Sequence, residues 1–260
     1  MPHALPPAPP VGPIDLHSHL LPGIDDGCDS LDESLEAIER LKAAGYAGTI
    51  CTPHVWMELF PDNTGPNIAE WVARLRAALH QRGVDYPIWP GGEVRLFPEF
   101  INYFAQRPIP TLAGTNRVLC DMFSDDWPGW AIPALQLMTD RGYQPILAHP
   151  ERINIDEDEW PQRMAEVRAM GVWLQGNFEA FTGGLGRRAD GYVRRLIADD
   201  GYTFLALDMH RPYSLADRLD GRQFAIEEFG EAAVAKLSGD RVRELILSAD
   251  APADPMGVTP

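Results

Sequence analysis

"PIDLHSHLLPGIDDGCDSLDESLEAIERLKAAGYAGTICTPH", residues 13–54, contains one full turn of the pattern from which the fold follows. Its ends, "PIDLH" and "AGTICTPH", are short apolar runs of β type. Between them, "SLDESLEAIERLKAAG" puts Leu35, Ile38, Leu41 and Ala44 on one helical face. Ser30 or Asp32 can cap that helix and Gly45 can end it. A strand, a helix and a second strand in so short a span imply a parallel pair joined by a crossover helix.

The unit recurs along the chain. A loop holding Pro61, Asn63 and Gly65 leads into "NIAEWVARLRAALHQRG", again of helical period. Further strand runs are "YPIWPGGE", "RVLCDMF", "QPILAHP", "GVWLQGN" and "TFLALDMH", with helical stretches around residues 130–141, 159–169 and 187–199. This makes about seven β/α units, and the strand runs are mostly apolar rather than alternating, as when a parallel sheet is covered on both faces. The fold class is therefore α/β, and a β/α barrel of about 250 residues fits the 260 residues as one domain. From about Leu215 to Leu247 the chain reads as helical. The expected organisation is a Pro-rich flexible tail over residues 1–13, a single barrel domain over 14–248 and a flexible C-terminal tail over 249–260.

Composition removes several classes of function. A formal net charge of −16 opposes binding to a nucleic-acid backbone, which needs clustered Lys and Arg. No apolar run approaches the roughly 18 residues of a membrane helix, so the chain is not expected to span a membrane. The start "MPHALPPAPPVGP" has neither the basic nor the apolar region of a secretion signal, which makes the cytoplasm the expected location. Cys28, Cys51 and Cys120 show no paired spacing and read as buried thiols.

Ligand-type residues fall at the ends of the strand runs. His17 and His19 end the first, His54 the second, Glu93 the third, Asp121 the fourth, His149 the fifth, and Asp208 with His210 the last. In a β/α barrel those ends ring one mouth, where active sites are built. Taken singly, each histidine reads as a structural residue, and Asp25 reads as a turn residue beside Gly27. Together they read as a metal site, because two histidines one residue apart on an extended chain face the same side. Imidazole and carboxylate without thiolate suit zinc, manganese or iron, and so many ligands exceed the needs of one ion. Ions about 3.5–4 Å apart suit hydrolysis of a phosphate ester.

At these residues the chain resembles the PHP (polymerase and histidinol phosphatase) superfamily, and within it the bacterial capsule-locus protein-tyrosine phosphatases. The motifs that carry the resemblance are "DLHSHLLPGIDDG", "CTPH", "GGEVR", "LAHPER" and "LDMH", in order from Ile14 to about Arg211. The resemblance implies a distorted (β/α)7 TIM-like barrel of the PHP type with two or three divalent metal ions, manganese first, iron or zinc next. It implies one ion on His17, His19, Glu93 and Asp208, a second on bridging Glu93 with Asp121 and His149, and a third on Asp26, His54 and His210. Arg152 is similar to an arginine that grips the substrate phosphate, and Arg211 is similar to a second. Asp208 or His210 would protonate the leaving phenolate. Leu207 and Met209, where smaller residues are usual, are expected to make the pocket rim bulkier. The implied partner is a phosphotyrosine protein, a bacterial tyrosine autokinase tail that controls exopolysaccharide or capsule export. Two rival readings share most of these motifs: a small-molecule phosphatase of the histidinol-phosphate or nucleotide type, and a metal-binding regulator without turnover.

Overall fold

The computed structural model describes residues 9–104, 107–122 and 126–250. In chain order the elements are β1 (Ile14–Asp15), α1 (Leu31–Ala43), β2 (Gly48–Cys51), β3 (His54–Val55), α2 (Gly65–Gln81), β4 (Ile88–Pro90), β5 (Glu93–Arg95) and α3 (Phe100–Phe104). There follow β6 (Arg117–Asp121), α4 (Ala131–Asp140), β7 (Gln144–Ala148), α5 (Trp160–Ala169), β8 (Trp173–Asn177), α6 (Arg187–Ala198) and β9 (Phe204–Ala206). The chain closes with α7 (Leu215–Phe229), α8 (Glu231–Ala235) and α9 (Arg241–Leu247).

Every strand pair is parallel, in two sheets of order β1-β2-β4 and β3-β5-β6-β7-β8-β9. The second and third strand runs are each broken in two, so that one half joins each sheet. Gly91 and Gly92 make the second break possible: a Cβ on Gly91 would lie 2.9 Å from both Ile50 and Leu112, and one on Gly92 2.9 Å from Val55. The sheets meet again where Ser18 bridges Met209, with His19 N donating to Met209 O at 2.9 Å and Asp208 N to His17 O at 2.9 Å.

α1 starts as the sequence predicts. Ser30 caps it by accepting from Glu33 N at 3.3 Å, and Gly45 leaves it at φ +85°. Leu35, Ile38 and Leu41 are buried in a core shared by the helices and the outer faces of the strands. A second, smaller cluster draws Ile14, Ile50, Trp89, Leu119, Ile146 and Phe204 from successive strands, with Val242, Leu245 and Ile246 of α9 packed on it.

Three features differ from the sequence reading. The helix α3 was not anticipated in "PEFINYF", which is too short to show a period. The helical C-terminal region is interrupted at Gly230 and by a π-turn at Lys236–Asp240. Of the expected N-terminal tail, residues 9–13 run against α9, where Arg243 donates to Pro10 O at 3.0 Å and Gly12 O at 3.1 Å. Residues 1–8 and 251–260, most of the two expected tails, and Phe123 of the fourth strand run lie outside the described residues. Among the described residues no helix is long and apolar enough to cross a membrane.

Candidate metal centre

The strands deliver their ligand-type residues to one end of the sheets. His17 and His19 follow β1, Asp121 closes β6, His149 follows β7, and Asp208 and His210 follow β9. The two broken strands place His54 and Glu93 in register as parallel neighbours. Asp26 arrives on the loop before α1. His149 and Asp208 both adopt left-handed backbone, φ +31° and +50°, a conformation that costs about 1–3 kcal/mol for a residue with a Cβ.

Four atoms define the centre. His17 Nε2 lies 3.4 Å from His19 Nε2, from Glu93 Oε2 and from Asp208 Oδ1. His19 Nε2 lies 3.5 Å from the same Glu93 oxygen and 3.4 Å from the same Asp208 oxygen. A point central to His17 Nε2, His19 Nε2 and either oxygen lies about 2.0 Å from each of the three, a bonding distance for a first-row metal ion and these ligand types. Glu93 Oε2 and Asp208 Oδ1 are buried and accept no hydrogen bond of acceptable geometry. His54 Nδ1, 2.8 Å from Glu93 Oε2, approaches out of line. Dry carboxylate oxygens without donors are costly unless a cation lies among them, so the donor set fits a divalent ion.

Three further groups adjoin it. Glu93, Asp121 and His149 each offer an atom within 4.8 Å of the others, as do His17, His149 and Asp208, and also His19, Asp26, His54 and His210. Glu93 Oε1 lies 3.0 Å from His149 Nε2, and Asp26 Oδ1 lies 3.3 Å from His54 Nε2 and 3.5 Å from His210 Nε2. The structure thus brings together all nine residues singled out as metal ligands. Asp121 makes the loosest approach, 3.7 Å to His149 Nδ1.

Supporting atoms fix which ring nitrogens face inward. Gln175 Oε1 accepts from His17 Nδ1 at 2.9 Å and Asp25 Oδ2 from His19 Nδ1 at 2.8 Å, leaving both Nε2 lone pairs free for a metal. Asp25 also accepts from Gly27 N at 2.9 Å and His54 N at 3.0 Å. Asn177 accepts from Gln175 at 2.8 Å and donates to Asp208 Oδ2 at 2.7 Å. Arg218 Nε donates to Asp208 O at 2.9 Å and so braces its left-handed backbone. Glu151 accepts from Asn177 N at 2.7 Å and from the Tyr202 hydroxyl at 2.6 Å, tying the turn after β7 to β8.

The sequence reading missed Asp25, Gln175, Asn177 and Arg218. Gln175 and Asn177 did leave a signal: two amides at alternate positions near the end of a buried strand, facing the same side. Asp25→Ala is expected to weaken metal affinity about 10- to 100-fold, the usual effect of losing a group that orients a ligand. Competition against a chelator measures it, and unchanged affinity would show that His19 needs no such orientation.

Charge in the cluster is balanced between imidazoles and carboxylates. Burial works against protonation of His19, but Asp25 carries it up to about 10. His54 is likewise opposed by burial and carried up to about 11 by Glu93 and Asp26. Burial, then the neighbouring His19 charge, pushes His210 down to about 4. Glu93 and Asp208 resist their own burial and stay well below the carboxylate range, chiefly because His17 faces them. A bound divalent ion takes the place of such protons.

Two arginines were singled out for phosphate. Arg152 Nη1 lies 3.4 Å from Asp208 Oδ2, and its side chain stays 42% exposed, so its other nitrogens are open to a ligand at the mouth. Arg211 instead commits its guanidinium to Asp29 and to Glu33, the latter at 3.1 Å. The expectation for Leu207 and Met209 is corrected: both are wholly buried in the apolar core, so neither stands at the rim of the mouth. Cys28, Cys51 and Cys120 are buried free thiols, and burial pushes Cys28 up to about 12 and raises the other two as well. None of the three enters a metal-binding group.

Residues 13–247 match the family described as capsular polysaccharide synthesis, CpsB/CapC. The tyrosine-protein phosphatase YwqE of Bacillus subtilis is 27% identical over 197 residues, 76% of this chain and 77% of that protein. The tyrosine-protein phosphatase CpsB of Streptococcus agalactiae serotype V is 27% identical over 214 residues, 78% of this chain and 87% of that protein. One solved structure, from work on YwqE of Bacillus subtilis and CpsB of Streptococcus pneumoniae as unique metal-dependent tyrosine phosphatases, superposes with a TM-score of 0.78 at 25% identity. It covers 94% of this chain and 99% of its own. The phosphotriesterase homology protein of Escherichia coli shares the fold alone, with a TM-score of 0.58 at 13% identity over 91% of this chain and 99% of that one.

Proposed function

The chain belongs to the CpsB/CapC family of capsular polysaccharide synthesis, and on that premise we propose that it is a metal-dependent protein-tyrosine phosphatase. The observation that carries the reading is the convergence of Glu93 and Asp208 on His17 and His19, with two buried carboxylate oxygens lacking donors. Relatives that bear the tyrosine-phosphatase name support it over a small-molecule phosphatase. We read the strand order, with its bridge between Ser18 and Met209, as a distorted (β/α)7 barrel of the PHP type, a single domain over residues 14–248.

His17, His19, Glu93 and Asp208 would hold one ion, Glu93, Asp121 and His149 a second, and Asp26, His54 and His210 a third. Such ions, manganese first and iron or zinc with the same ligands, supply Lewis acidity to phosphoryl oxygens and to the attacking water. The protein's own groups do the rest. Arg152 grips a phosphoryl oxygen and offsets charge as it builds. Asp25 and Gln175 keep His19 and His17 in the tautomer that presents Nε2. Asp208, held well below the carboxylate range, and His210, pushed down to about 4, have no proton to give near neutral pH, so the phenolate departs as the anion, and the buried Gln175 and Asn177 close the site below.

The substrate we assign is a phosphotyrosine protein, the tail of a tyrosine autokinase, supported by the family's role in capsular polysaccharide synthesis. A cytoplasmic location accords with three free thiols.

Protein stripped by chelator and reloaded with manganese is expected to hydrolyse p-nitrophenyl phosphate and a phosphotyrosine peptide. The His17→Ala, His19→Ala double variant is expected to hydrolyse neither. Full metal loading without turnover of either substrate would remove the phosphatase reading. Cys51→Ser and Cys120→Ser are expected to retain turnover, because these thiols are buried in the apolar core and enter none of the metal-binding groups. A folded variant of either that lost the chemistry would point to a cysteine mechanism.

A further inference from the structure

A cavity of about 520 Å³ opens at the opposite end of the strands from the metal centre, within the size range of small-molecule sites. β6 runs from Arg117 at this cavity to Asp121 at the metal centre, and β8 from Trp173 to Asn177. Three arginines line it: Arg117, Arg168 and Arg241. In a chain of net charge −16 this is a local reversal of sign.

Two of them are already engaged. Arg241 donates to the carbonyls of Tyr202 at 2.9 Å and Thr203 at 3.2 Å and lies 3.9 Å from Asp200; Arg168 donates to the Asp200 carbonyl at 3.4 Å. Arg117 is different. Its Nε is buried without a partner, and its guanidinium carbon stands 5.8 Å over the Trp173 ring. Burial lowers its pKa with no carboxylate opposing the shift. Glu244, the other carboxylate of the cavity, is exposed. A half-buried guanidinium without an acceptor is a costly arrangement that an anionic ligand relieves. Trp173 and Leu245 add an apolar wall beside it.

We propose that this cavity binds a small organic phosphate of nucleotide size, with Arg117 receiving the phosphate and Trp173 the organic body. Guanidinium offers phosphate a planar, bidentate fork, and an indole face accepts a flat ring. The proposal does not depend on the activity of the metal centre.

The test is equilibrium dialysis of adenosine 5′-thiomonophosphate, a poorly hydrolysed phosphate ester, against metal-loaded protein. Two equivalents are expected in the wild type, one at each end of the strands. Arg117→Gln is expected to weaken one of the two by ~10-fold or more, and Arg168→Gln to weaken the same one, with p-nitrophenyl phosphate hydrolysis unchanged. Arg168 is exposed, so its variant decides the matter if Arg117→Gln does not fold. Wild-type binding that neither variant weakens, whether of one equivalent or two, or no binding at all, would overturn the proposal. Inorganic phosphate is the second probe. If it binds this site as tightly as the nucleotide, the role given to Trp173 is wrong.

Discussion

Glu93→Gln is expected to lower turnover of p-nitrophenyl phosphate by about 10³-fold or more, some 4 kcal/mol of barrier, and to reduce the bound metal. Glu93 links four of the histidines: Oε2 lies 3.4 Å from His17 Nε2, 3.5 Å from His19 Nε2 and 2.8 Å from His54 Nδ1, while Oε1 lies 3.0 Å from His149 Nε2. The change exchanges one oxygen for an NH2 of nearly equal size, so the volume filled at this buried position is preserved. What is lost is the buried negative charge that four imidazoles face. Metal analysis beside steady-state kinetics separates the causes. A variant with full metal content and wild-type turnover would move the chemistry away from this centre.

Arg152→Ala is expected to lower kcat/KM by about 10²–10³-fold while leaving metal content unchanged, the magnitude found when one charged or polar donor to a reacting oxyanion is removed. Its backbone N–H donates to His149 O at 2.9 Å, and the turn it closes is tied to β8 through Glu151, so the guanidinium is presented from a fixed base. Lysine restores the charge but not the fork, and Arg152→Lys is expected to recover only part of the loss. Arg211→Ala should cost far less, because Asp29 and Glu33 already hold that side chain. Equal losses at the two positions would mean that Arg211 leaves its carboxylates to meet the substrate.

Much of this was legible in the linear chain because it depends on periodicity and on which residue types end a strand. The period of "SLDESLEAIERLKAAG" and its two candidate caps, Ser30 and Asp32, placed the start of α1 to within two residues of that observed. Apolar runs ending in His, Glu or Asp marked the mouth, since parallel strands with crossover helices must all point their C-terminal ends the same way. Periodicity does not reveal that a strand is split. "YPIWPGGE" reads as one run, whereas Ile50, Leu112 and Val55 press on Gly91 and Gly92 from neighbouring segments and divide it.

The sequence by itself determined the fold class, the alternation of strand runs and long helices, and the set of residues that could meet a metal, because each follows from local pattern plus the direction of parallel strands. Only the tertiary structure decided what those residues do to one another. Asp25 read as a turn residue becomes the partner of His19, Leu207 and Met209 turn inward while Asp208 faces the centre, and Arg211 is taken by the acidic start of α1. The physical reason is that tautomer, charge state and the pairing of a guanidinium depend on atoms about 3 Å away in space. Those atoms come from strands and loops far apart in the chain, and no local pattern records them.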